Sequence, residues 1–155
     1  AQQYGSFDQR SETNFITLVP RAQVEARKFL KIAAGIKTDV RIISGTRTYE
    51  QQDALYRHGR RGVQGPVITN AKGGQSNHNF GIAWDIGIFD SAGCYLTGEG
   101  PYTTLAEAVL PALGKIEWGG NWQSFKDLPN YQVRAVSESV ATIRQLFENG
   151  NAYLA

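Results

Sequence analysis

Residues 76–89 read SNHNFGIAWDIGIF, and this stretch decides the fold. From Gly81 to Phe89 the side chains alternate. Ile82, Trp84, Ile86 and Ile88 take one face, while Ala83, Asp85 and Gly87 take the other. That period of two, in β-branched and aromatic residues, predicts a strand. A carboxylate in the middle of an apolar strand is costly unless it is paired or metal-bound. The small neighbours Ala83 and Gly87 leave room above Asp85. His78 lies seven residues earlier, at the end of a glycine-rich loop. Neutral imidazole and carboxylate are both good zinc ligands. Two readings follow from the residues alone. His78 and Asp85 converge on one ion, or Asp85 pairs with an arginine and His78 caps the loop.

Working outward, Val40-Arg41-Ile42-Ile43 predicts a second strand, leading into the turn Ser44-Gly45-Thr46-Arg47. Thr48 starts a helix with Gln51 as its capping-box partner, and that helix ends near Gly59. Before the strand, Pro20 to Ala34 predicts a helix, with Pro20 in the first turn, Phe29, Leu30 and Ala33 inward, and Gly35 as the stop. The first 18 residues read as a polar lead-in that packs on the domain. Residues 60–79, with Gly62, Gly65, Pro66, Gly73 and Gly74, form a long loop, a common place for function. Downstream, Thr104 to Leu113 predicts a helix interrupted by Pro111. Ile116 to Trp118 and Tyr131 to Val133 predict short strands around the turn Gly119-Gly120-Asn121-Trp122. A last amphipathic helix spans about Glu138 to Glu148. The pattern implies an α+β fold: a small, mostly antiparallel sheet flanked by helices, with the site cleft on the sheet.

The 155 residues, 41% of them apolar, suit one domain, 1–155, with its core about Pro20 to Glu148. A net charge of +2 is too weak to argue for nucleic acid. Cys94 stands alone, so no internal disulfide forms. No apolar run approaches the roughly 20 residues of a membrane span, and no signal-peptide pattern opens the chain.

Ser76-x-His78-x-x-Gly81-x-Ala83-x-Asp85 resembles the signature of a family of zinc peptidases. Its members are cell-wall D,D-carboxypeptidases, vancomycin-resistance dipeptidases and phage endolysins that cut between L-alanine and D-glutamate. The resemblance extends over about residues 7–134. Ser44-Gly45-Thr46-Arg47-Thr48 and the stretch QQDALYRHG from Gln51 resemble the family's arginine turn and following helix. Thr69-Asn70-Ala71-Lys72-Gly73-Gly74-Gln75 is similar to the endolysin form of the loop before the histidine. Trp118-Gly119-Gly120-Asn121-Trp122 and Ser124-Phe125-Lys126-Asp127 resemble the C-terminal active-site segment.

The resemblance implies roles. His78 and Asp85 would be two zinc ligands. Asp127 would be the general base, and Arg47 would stabilise the charge on the scissile carbonyl oxygen. Ser76 and Gln51 would contact substrate. Peptidoglycan stem peptides would be the partner of a monomer acting at the bacterial cell wall, in the periplasm or outside the cell. The endolysin-like loop tilts the expected bond towards L-alanyl-D-glutamate over D-alanyl-D-alanine. Plainer readings stay open beside these: Arg47 as a loop brace, Asp127 as a turn residue before Pro129.

Two positions depart from the family. Its third zinc ligand, a histidine three residues after the base, is here Asn130, whose amide oxygen is a poor zinc ligand beside imidazole. Asn121 stands where many endolysins carry aspartate. Three accounts of Asn130 stay open: an engineered exchange, a natural pseudoenzyme that binds wall peptide without cutting it, or a weak site through His78, Asp85 and an extra water. The function expected is therefore a zinc peptidase of the wall, impaired at position 130. The alternative is a non-catalytic peptidoglycan-binding module.

Overall fold

The computed structural model describes residues 7–60, 62–123, 126–133 and 139–150. Its elements run α1 (Gln9–Phe15), α2 (Pro20–Gly35), β1 (Asp39–Ser44), α3 (Tyr49–Arg57), β2 (Ala83–Phe89), β3 (Tyr95–Leu96), α4 (Glu99–Val109), β4 (Ile116–Trp118), β5 (Asn130–Val133) and α5 (Val140–Glu148). Short 3₁₀ turns occupy Asn77–Phe80, Leu110–Ala112 and Gly119–Asn121. The sheet order is β1-β2-β5-β4, with β3 paired to the end of β2, and every pairing is antiparallel. The fold is α+β, as the pattern of the sequence implies.

The two faces of β2 do different work. Trp84, Ile86 and Ile88 are buried in the core. Phe29 of α2 meets Trp84 and Tyr131 edge-on, with ring centroids 6.4 and 4.6 Å away. Tyr102 and Leu105 of α4 complete this apolar side. On the opposite face the register matters most. Asp85 lies directly across from Asn130 on β5 and across from Ser44 on β1, where a bulge breaks the pairing. Ala83 lies across from Gln132. Directly opposed residues share a face, so Asp85, Asn130 and Gln132 all stand on the polar side. The room expected above Asp85 does not extend over Gly87, where a Cβ would meet Tyr95 and Ile43 at 3.0 and 3.1 Å. The open space beside Asp85 lies towards the loops instead.

The lead-in carries structure. α1 buries Phe15, starts from an Asp8 cap and lies along edge strand β1. Ser11 Oγ accepts from the Ile42 N–H at 2.9 Å, and Asn14 Nδ2 donates to the Ile42 carbonyl at 2.8 Å. These are backbone groups that a further strand would otherwise pair.

The expected strands and the helices α2 and α3 form with small changes at their ends, and the Thr48–Gln51 capping box is present. α4 starts earlier than the Thr104 expected, at Glu99. Gly98, Gly100 and Pro101 look like breakers, yet Pro101 sits in the first turn, where its missing N–H has no intrahelical partner to lose. Pro111 ends the α-helix in a 3₁₀ turn. α5 begins at Val140 behind a Ser139 cap, and Glu138 lies outside the described residues.

Candidate active site

Three chain segments meet over the polar face of the sheet. The first is the turn after β1, which carries Arg47. The second is the 3₁₀ turn 77–80, which carries His78. The Arg47 N–H donates to the His78 carbonyl at 2.9 Å. Asn79, itself buried, ties both to the preceding loop. Its Nδ2 donates to the Arg47 carbonyl, and its Oδ1 accepts from the N–H groups of Gly74 and Ser76. Ser76 Oγ accepts from the His78 N–H, so the serine starts the turn that aims the imidazole. Gly81 then leads into β2 with φ of +75°, a conformation L side chains avoid, and a Cβ there would press on Val19 at 2.9 Å.

The third segment is 126–130. The Asp127 N–H donates to the Gly119 carbonyl, and Asn130 N–H to the Asp127 carbonyl, both at 3.1 Å. Trp118 Nε1 donates to the Leu128 carbonyl at 2.8 Å, and Ile86 N–H to the Pro129 carbonyl at 3.0 Å. The Asp127-Leu128-Pro129-Asn130 turn is thus closed by one internal bond and pinned to the end of the sheet at three points. Ser124 and Phe125 lie outside the described residues.

The result is a convergence at Asp85. His78 Nε2 is 3.4 Å from Asp85 Oδ1 and 3.1 Å from Asn130 Oδ1. Arg47 Nη2 is 3.7 Å from Asp85 Oδ2. His78 Nδ1 lies 2.9 Å from the Gly45 carbonyl, the kind of outer contact that fixes a ligand imidazole. Burial pushes the Asp85 carboxyl up, but His78 and the Arg47 guanidinium outweigh it and hold it below the ordinary range. Asp127 keeps solvent access at the cleft wall. Loss of hydration there, with Asp85 nearby, pushes its carboxyl up to about 6. Two carboxylates thus sit in one cleft, one poised to stay charged and the other to exchange a proton.

Arg47, Ser76, His78, Asp85, Asp127 and Asn130 all line one cleft of about 950 Å³. Gln51 does not. Its amide oxygen accepts from the Thr48 N–H at 2.9 Å as the capping-box partner, so the expected substrate contact is instead a helix cap. The sequence reading missed Asn77 and Gln132, buried polar residues of the cleft, while Trp122 and Lys126, of the segment expected at the active site, also line it. The signal for Gln132 was present: it stands two residues after Asn130 on a strand, hence on the same face.

Among the described residues, no three His, Cys, Asp or Glu side chains form a metal-binding group. The third position at the convergence is the amide of Asn130. Yet the residues present fit a divalent ion. Asp85 Oδ1 is buried without a hydrogen-bond partner, and it faces an imidazole nitrogen and an amide oxygen. One nitrogen and two oxygens form a harder donor set than two imidazoles and a carboxylate.

A family model described as D-alanyl-D-alanine carboxypeptidase matches residues 69–133. The chain is 36% identical over 114 residues to the peptidoglycan L-alanyl-D-glutamate endopeptidase CwlK of Bacillus subtilis (strain 168). That match takes in 67% of this chain and spans 66% of CwlK. Among solved structures, the L-Ala D-Glu endopeptidase ChiX of Serratia marcescens superposes with a TM-score of 0.59 at 24% identity, over 86% of this chain and 92% of ChiX. A vancomycin-resistance D,D-pentapeptidase, VanY, in complex with Zn(II), gives 0.52 at 17% identity, over 87% of this chain and 80% of that one. Both likenesses concern the fold. With the CwlK match and the motif order, they place the chain in the family of cell-wall peptidases that takes in D-alanyl-D-alanine carboxypeptidases and L-alanyl-D-glutamate endopeptidases.

Proposed function

We propose that this chain is a metal-dependent peptidase of bacterial peptidoglycan. It cuts stem peptides, at L-alanyl-D-glutamate in preference to D-alanyl-D-alanine, and Asn130 weakens it. The observation that carries this reading is the meeting of His78 Nε2 with oxygens of Asp85 and Asn130, in a cleft that also holds Arg47 and Asp127. The similarity to CwlK supports the choice of bond. Site chemistry, not fold, sets specificity.

His78, Asp85 and Asn130 would hold the ion. Zinc supplies Lewis acidity when bound: it acidifies water and polarises a peptide carbonyl. The other steps belong to side chains of this chain. An Asp127 carboxylate oxygen takes the proton of the attacking water and passes it to the leaving amine. The Arg47 guanidinium, anchored on Asp85 Oδ2, donates to the oxygen that becomes negative. The charge on Arg47 is permanent, so it needs no proton transfer to serve.

Gly119 sets the position of Asp127. A Cβ on residue 119 would come within 2.2 Å of the Asp127 carbonyl and 3.0 Å of its Cβ. Gly119→Ala is expected to cut turnover by roughly 10-fold or more, because small misplacements of a reacting group are costly. Zinc content, read by mass spectrometry, should fall as well, because the displaced Asp127 carbonyl also accepts from the Asn130 N–H.

The direct test digests purified sacculi with zinc present, using the natural chain and Asn130→His. Mass spectrometry should find muropeptides with a new free amino group on D-glutamate. Release of D-alanine instead would move the cut to the other bond. Asn130 favours one competing reading, a module that holds wall peptide without cutting it. If both proteins bind sacculi and neither releases amino groups, that module is what remains.

A further inference from the structure

We infer, on the metal-peptidase reading, that Gln132 is the positioning residue that turns the Asn130 amide oxygen towards His78 and Asp85 and so makes Asn130 a ligand. The Gly45 carbonyl can only accept, so His78 Nδ1, 2.9 Å away, carries its proton there. In the neutral ring, Nε2 is then a bare lone pair. Two more acceptors face it: Asn130 Oδ1 at 3.1 Å and Asp85 Oδ1 at 3.4 Å. Three acceptors meeting with no donor between them repel one another unless a positive charge sits among them, either a proton on His78 Nε2 that pairs with Asp85 or a metal ion.

An amide could equally present its NH₂ to the site, since its two ends have nearly the same shape. Its setting is tied to that of the neighbour, Gln132. Asn130 Nδ2 donates to Gln132 Oε1 at 3.2 Å, and Asn77 Nδ2 donates to the same oxygen at 2.8 Å. All three amides are buried, with exposures of 8% for Asn77, 1% for Gln132 and 3% for Asn130. They form a row that ends at His78. In this setting Asn77 Oδ1 and Gln132 Nε2 lack partners. Turning the whole row over would give Gln132 Nε2 to both neighbours' oxygens and point the Asn130 NH₂ at His78 Nε2. That second setting leaves only Asn77 Nδ2 and Gln132 Oε1 unpaired, gives His78 Nε2 a donor, and closes the site to a cation. With a neutral imidazole and no ion the turned row makes one hydrogen bond more, and a bound divalent ion, by taking up Asn130 Oδ1 and His78 Nε2, selects the open one.

Glutamate at 132 has an oxygen at both ends and permits only the open setting. Gln132→Glu is expected to bind zinc about 10-fold more tightly than the natural chain, in the range of outer-contact effects on metal sites. Gln132→Leu removes the acceptor and should bind about 10-fold more weakly. Calorimetric titration with zinc reads both, and circular dichroism checks folding. A merely structural glutamine would make the buried glutamate harmful, not helpful. The inference is overturned if Gln132→Glu binds no tighter than the natural chain, or if Gln132→Leu binds equally well. It is also overturned if the natural chain binds no zinc while Asn130→His does, a result that leaves the metal-peptidase reading standing. Zinc binding by neither would remove that reading as well. Should the variants not fold, the side-chain amide resonances of Asn130 in the natural chain decide. They should move with one equivalent of zinc, and shifts confined to His78 would overturn the inference.

Discussion

Asn130→His is expected to tighten zinc binding by at least about 100-fold, since it replaces a ligand where outer contacts alone are worth roughly 10–100-fold. The frame for the change is already built. Residue 130 lies directly across from Asp85, its backbone is pinned to Asp127, and its side chain already lies 3.1 Å from His78 Nε2. The new ring finds an acceptor for its Nδ1–H in Gln132 Oε1, which now accepts from Asn130 Nδ2. Cleavage of sacculi should rise by a similar factor at limiting zinc, because occupancy of the site then limits the rate. Competition against a chromophoric chelator gives the affinity, and amino-group release gives the rate. Equal zinc affinity in the two proteins would mean that the residue at 130 is not a ligand.

The second large effect is expected from Asp127→Ala, made in the Asn130→His protein so that the loss can be measured. Turnover should fall by about 10²–10⁴-fold, the usual worth of a positioned base. Zinc affinity should change by less than about threefold, because Asp127 is not among the three groups at the metal position. That split separates Asp127 the base from Asp127 the turn residue. A turn residue lost from before Pro129 would loosen Asn130, three positions on, and so weaken zinc and turnover together. Retained turnover would place the base elsewhere in the cleft.

Much of this fold was legible because period-two patterning is a local signal. Ile82, Trp84, Ile86 and Ile88 announce β2 without help from the rest of the chain. The Thr48–Gln51 cap is likewise a contact of near neighbours. The misses have a common cause. α1 is held by Ser11 and Asn14 against residues about 30 positions away, which a polar stretch does not reveal. α4 begins among glycines and a proline that only the geometry of a first turn makes acceptable. At the site, His78, Asp85, Arg47, Ser76 and Asp127 were named from the motif, and the fold gathers all five at one cleft. Gln51 was misplaced because one polar side chain can serve either a cap or a substrate, and sequence does not say which. Asn77 and Gln132 were overlooked because amides carry no charge and fit no metal or acid–base pattern. Their part depends on which end of each amide faces its neighbour.

The pairing of α1 with β1 has a consequence for handling this protein. Ser11 and Asn14 occupy backbone groups of a strand that ends the sheet on that side. They act as a guard against self-association. A chain trimmed ahead of Pro20 would keep every cleft residue yet bare a hydrogen-bonding rim to any passing strand. Its characteristic failure would be sticking to copies of itself in a concentration-dependent way, added to the loss of Phe15 and Leu18 from the core and of the brace that Thr17 gives Thr46 beside Arg47.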